Sequence, residues 1–134
     1  SGGAGEKPPF GFGPGDDQPW LPQPRSWVHC TVEAQEDDPT STLSFYRELL
    51  ALRREVAAGL PHVLTPVKSA PGTLAFRRGE GADALVCLVN CGSRPARLPA
   101  EAGELLMTSG ADLAEGSGGV RRLPPDTAAW FRPS

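Results

Sequence analysis

The residues best suited to chemistry are six carboxylic acids near the start of the chain: Asp16-Asp17, Glu33, Glu36, Asp37 and Asp38. Acid/base cleavage of a glycosidic bond needs two carboxyl groups about 5 to 10 Å apart across a sugar-sized cleft. These acids fall in loops and at a helix start, where solvation and helix capping account for them. The two histidines, His29 and His62, have no motif partner and read as surface or packing residues. No Gly-x-Ser-x-Gly elbow occurs, and no glycine-rich loop ends in Gly-Lys-Ser/Thr. Gly11-Phe12-Gly13 and Gly13-Pro14-Gly15 follow no strand, so they make no phosphate cradle.

Cys30, Cys87 and Cys91 form no zinc pattern, since a tetrahedral site needs about four ligands. Cys87 lies in the apolar run Ala84-Leu85-Val86-Cys87-Leu88-Val89 and reads as a small buried hydrophobe. Neither metal nor cofactor is expected. Sparse, unpaired cysteines fit a reducing compartment, and a bacterial cytoplasm is the expected location. The chain opens on Ser1, so its true N-terminus is expected to lie upstream.

What must position these residues is an unusual succession of elements. Half of residues 1–24 are Gly or Pro, which can neither propagate a helix nor pair as a central strand. Phe10, Phe12, Trp20, Leu21 and Trp27 are interleaved with them. Aromatics in such a run predict an ordered loop on a surface outside this chain, not a floppy linker. Phe10, Phe12 and Trp20 are the candidates for contact with a substrate, because flat rings stack on sugars; they serve equally well as packing anchors.

Thr31 is expected to cap a short helical turn over residues 31–37. The main helix is expected from Pro39, with Asp38 as cap and Gly59 and Pro61 as stops. Leu43, Tyr46, Leu49, Leu50 and Val56 make one apolar stripe, and Phe45 and Leu52 widen it. That face is broader than one small β layer needs, which predicts contacts on two sides. Beyond Pro61 the period falls to two. Strands are expected at residues 73–78, 84–90, 96–98, 105–108, 120–123 and 127–131, separated by turns, as in an antiparallel sandwich.

The chain has 134 residues, enough for one core, with 13 basic against 16 acidic side chains. Basic residues are scattered, so no nucleic-acid partner is expected. No apolar run approaches the roughly 20 residues of a spanning helix, so no membrane partner is expected either.

Several segments taken together resemble one family. They are Pro9-Phe10-Gly11-Phe12, Pro19-Trp20-Leu21-Pro22, Asp38-Pro39-Thr40-Ser41 and Tyr46-Arg47-Glu48-Leu49-Leu50-Ala51-Leu52-Arg53-Arg54. Leu85-Val86-Cys87-Leu88-Val89-Asn90 and Leu123-Pro124-Pro125-Asp126-Thr127-Ala128 extend the likeness. The chain resembles the C-terminal part of an α-glucosidase of glycoside hydrolase family thirteen, the α-amylase family, near the oligo-1,6-glucosidase and trehalose synthase branch.

The resemblance implies a mainly β chain. Residues 1–38 would be the loop after the last strand of a TIM barrel, 39–60 the last barrel helix, and 61–134 an antiparallel β-sandwich. It also implies retaining hydrolysis or transfer at α-glucosidic bonds of small oligosaccharides by the whole enzyme. The family's nucleophilic Asp, acid/base Glu and Asn-His-Asp motif do not occur here, so this chain would catalyse nothing alone. Its partner would be the missing catalytic barrel, in the same polypeptide or a companion chain, with a small α-glucoside as substrate of the whole. Two rivals stand beside this reading. One is a non-catalytic relative such as an amino-acid-transporter heavy-chain ectodomain, against which the lack of an Asn-x-Ser/Thr acceptor counts. The other is a stand-alone carbohydrate-binding sandwich using Trp20 and Trp27.

Overall fold

A computed structural model describes residues 8–11, 20–110, 112–115 and 120–133. The chain divides into two compact units, Ser1–Ala51 and Leu52–Ser134. No helix of the described residues is long and apolar enough to cross a membrane.

The first unit is built by local hydrogen bonds. A 3-10 turn at Arg25–Cys30 leads to Thr31, whose hydroxyl donates to the Val28 carbonyl at 2.9 Å. The same oxygen accepts from the Ala34 amide at 3.2 Å and caps α1, Val32–Glu36, as expected for this position. Helix α2 runs Thr42–Ala57, three residues later than Pro39 predicts. The cause lies in how Asp38 is used. Its carboxylate accepts from the Thr40 hydroxyl at 2.7 Å and the Thr40 amide at 2.8 Å, which closes a local turn. Those bonds hold the Asp38 carboxyl below its usual value.

Ser41 caps α2 instead, accepting from the Ser44 amide at 3.2 Å and donating to the Gln35 carbonyl at 2.8 Å. The Gln35 side-chain oxygen accepts from the Leu43 amide at 3.0 Å, so a second orphan amide of the first turn is also satisfied. An exposed Arg47–Glu36 ion pair at 3.1 Å adds little, because water screens it.

The second unit holds two antiparallel sheets. The larger has the order β1-β2-β3-β8-β5, from β1 (Leu64–Pro66), β2 (Thr73–Arg78), β3 (Leu85–Asn90), β5 (Glu104–Thr108) and β8 (Thr127–Arg132). The smaller has β4 (Ala96–Arg97), β7 (Arg121–Leu123) and β6 (Ala114–Glu115), in that order. The mainly antiparallel architecture is therefore as the sequence predicts. No barrel strand is present among the described residues, whose sheets are both antiparallel.

Register sorts the larger sheet into two faces, because side chains alternate along each strand. Ala75, Leu88 and Ala129 lie in one cross-strand row, and Val86 and Phe131 in the next. All five are 3 % exposed or less. They join Leu123 of the smaller sheet in one apolar cluster, so this inner face is the core between the sheets.

Asn90 ties the layers together. Its buried amide donates to the carbonyls of Arg94, Leu123 and Pro124 at 2.9 to 3.0 Å, and its oxygen accepts from the Gly92 amide at 2.9 Å. Only a side-chain amide offers donors and an acceptor in this arrangement. At the other end of the sheet Arg78 donates to the carbonyls of Leu60 and Pro61, at 2.9 and 2.7 Å, and fastens the segment that leaves α2. Gly79 turns the chain between β2 and β3 at φ 82, and a Cβ there would come within 2.8 Å of the Leu60 side chain. Glycine fits both demands.

Candidate functional site

Of the three predicted substrate-contact aromatics, Phe10 and Trp20 are described and differ in exposure. Phe10 is 2 % exposed, so its ring offers no free face for a sugar. Its backbone sits at φ 49, in the left-handed region that few non-glycine residues adopt. Phe12 lies outside the described residues, as do Asp16 and Asp17. Trp20 is 95 % exposed, and Leu21, Trp27 and Val32 are also exposed.

Two of the acids near α1 and α2 have structural partners. Asp38 closes a turn and Glu36 pairs with Arg47. Among the described residues no group of three His, Cys, Asp or Glu could hold a metal ion. His29 and His62 are both exposed. Cys30 and Cys91 are exposed free thiols, whereas Cys87 is buried. Burial pushes the Cys87 thiol up to about 11, so it stays protonated and unreactive near neutrality.

Sequence reasoning missed two features of the second unit. One is a groove of about 280 Å³ lined by Glu55, Val56, Leu60, Asp83, Leu85 and Arg132. Glu55 and Asp83 are far apart in sequence, and only the fold places them on one groove. The other is the outer face of the larger sheet. Leu74 lies opposite Val89, and Phe76 lies between Pro66 and Cys87. Trp130 pairs with Cys87 and Met107 on the same face. Leu64 and Leu74 are 55 % and 59 % exposed, while Phe76, Val89 and Trp130 are half-buried. The signal was the apolar run of β3, which supplies apolar side chains to both faces.

The fold and part of the sequence are shared with known proteins. Residues 67–130 match the family described as "Domain of unknown function (DUF3459)". A "Probable alpha-glucosidase" from Rhizobium meliloti (strain 1021) is 36 % identical over 72 residues, which is 54 % of this chain and 13 % of that protein.

Among solved structures, an isomaltulose synthase mutant from Erwinia rhapontici in complex with D-glucose superposes with a TM-score of 0.73 at 17 % identity, covering 97 % of this chain and 24 % of that one. A trehalulose synthase mutant in complex with Tris gives a TM-score of 0.67 at 24 % identity, covering 87 % and 22 %. Isomaltulose synthase from Protaminobacter rubrum gives 0.65 at 18 %, covering 85 % and 22 %. The chain thus spans less than a quarter of the length of each relative it matches here. Residues 67–130 are thus similar to the DUF3459 family.

Proposed function

We propose that this chain is the C-terminal part of an α-glucosidase-type glycoside hydrolase and supports a catalytic barrel without itself catalysing. The observation that carries the reading is the 36 % match over 72 residues to a probable α-glucosidase, most of whose length lies outside the match. The sugar named with one structural relative, D-glucose, agrees with a small glucoside as substrate of the whole enzyme.

The chemistry of such an enzyme is a pair of carboxyl groups acting on the anomeric carbon, one as nucleophile and one as acid then base. Two described acids of the first unit have structural roles, Asp38 in a turn and Glu36 in an ion pair, which fits a positional part for this chain. Helix α2 fits a supporting role. Its apolar stripe is only partly covered: Tyr46 is 57 % and Leu50 45 % exposed, and Ala57 alone is buried. A face of that kind rests on a neighbour when one is present. Residues 1–38 would then run along the barrel mouth, where the exposed ring of Trp20 can meet a sugar or the barrel wall.

The test is hydrolysis of an aryl α-glucoside. The 134-residue chain is expected to release no glucose, and the product of the complete gene is expected to release it. Protein-dependent release by the chain alone contradicts the proposal. A second reading, a stand-alone sugar-binding sandwich, is favoured by the exposure of Trp20 and Trp27. Quenching of tryptophan fluorescence by maltose in the isolated chain would select it.

A further inference from the structure

We infer that the smaller sheet carries a binding site for a phosphoryl oxyanion, built by Arg97 and Arg122 with Arg94 beside them. The site is independent of the proposed catalysis. Its basis is register. Where β4 pairs with β7, Arg97 lies directly opposite Arg122. Side chains so placed share one face of a sheet, with Cβ atoms about 4.5 to 5.5 Å apart. The next row, Ala96 opposite Leu123, is buried in the core, so the two arginines belong to the other face. Like charges directly opposite each other repel and cost stability. Strand β6 sets Ala114, not an acid, opposite Arg122. Among the described residues no ion pair joins an acid to Arg94, Arg97 or Arg122. The Nε of Arg122 is buried with no hydrogen-bond partner among them, an unfavourable state that an acceptor relieves.

Arg97 also lines a groove of about 440 Å³ with Arg94, Ser93, Gly72 and Gly92, and none of its lining residues is acidic. An adjoining groove shares Arg97 and adds Lys68; the acid there, Glu101, lies 3.6 Å from Arg77. Cations thus gather in a chain whose net charge is -3, and the local field, not the overall one, draws an anion. Arg94 and Arg97 are exposed and Arg122 is half-buried, so an anion reaches them from solvent. Guanidinium forks match phosphate oxygens through paired hydrogen bonds. A phosphoryl group also carries close to two charges at neutral pH, enough to offset Arg97 and Arg122 together. The ligand class is phosphate or a phosphate monoester, the organic part of which would lie along Pro71 and Pro95.

The test is titration calorimetry of the product of the complete gene with inorganic phosphate and with phenyl phosphate, at an ionic strength held constant with sodium chloride. Saturable binding is expected. Arg97→Gln and Arg122→Gln should each weaken it about tenfold or more. Arg54→Gln, which removes a charge from an exposed position of α2, should leave it unchanged. Tighter binding of phenyl phosphate makes an ester the ligand; otherwise free phosphate is. Circular dichroism checks the fold of each variant. Where a sheet variant fails to fold, Arg94→Gln on the exposed loop before β4 takes its place and should weaken binding severalfold. Heats no larger than those of sodium chloride, or affinity that the folded arginine variants fully retain, overturn the site.

Discussion

The two faces of the larger sheet use the same strands and nearly the same residue types, yet they differ sharply in burial. On the inner face Val86, Leu88, Ala129 and Phe131 are fully buried against the smaller sheet. On the outer face Leu64 and Leu74 stand more than half exposed. Composition does not separate the faces; what lies over them does. The comparison teaches that apolar character records the surroundings a residue is suited to, whereas burial records the surroundings present in this chain.

Breaking the inner face should have the largest effect. Phe131→Ala removes a fully buried ring and should cost about 3 to 5 kcal/mol, read as a fall in the urea midpoint of the chain. An effect below about 1 kcal/mol would mean that the sheets do not share this core.

Next comes the polar tie between the sheets. Asn90→Ala deletes four hydrogen bonds around one buried amide and leaves buried carbonyls unpaired. A loss on the order of 2 to 3 kcal/mol is expected by the same measurement.

Ser41→Ala tests the first unit. Loss of the α2 cap should cost about 0.5 to 2 kcal/mol and raise hydrogen exchange at the Ser44 amide. Asp38→Ala should leave that amide unchanged, since the Asp38 side chain serves Thr40, and its backbone carbonyl, which accepts from the Ser44 hydroxyl, is kept.

Leu74→Ala on the outer face should change the stability of the isolated chain by less than about 0.5 kcal/mol, an order of magnitude below Phe131→Ala. This contrast between two apolar side chains in neighbouring strands sharpens the comparison most.

The thiols give the smallest readout. Burial holds the Cys87 thiol at about 11, above its usual value of 9.0. The neutral thiol therefore adds stability below pH 9, and this is lost as pH rises from 9 toward 11. At pH 8, iodoacetamide should label Cys30 and Cys91 and spare Cys87 in the folded chain, as mass spectrometry would show.

Much of the fold is legible in local pattern. β2 falls where alternation over residues 73–78 puts it, and β3 follows from its continuous apolar run. Thr31 caps α1 as its residue type dictates. Features that depend on distant partners are not legible. Strand β1 carries Pro66 and no buried residue, so nothing local marks it; pairing with β2 creates it. Strand β6 has two residues and exists through β7. The start of α2 shifts because Asp38 has two possible uses, and the Thr40 hydroxyl decides between them.

The candidate site was less legible than the fold. The aromatics of the first segment are visible in sequence, but the burial of Phe10 and the exposure of Trp20 are tertiary facts. The outer sheet face needed register, since only the pairing of Leu74 with Val89 and of Pro66 with Phe76 makes one patch of scattered residues.

The central claim is that this chain is the supporting end of a larger enzyme. The most direct measurement is the mass of the polypeptide that an antibody to this sequence detects in its source cells. A band roughly four times the mass of the 134-residue chain is expected, as in the solved relatives. A band at the mass of the chain itself, with no larger companion carried along with it, would contradict the account.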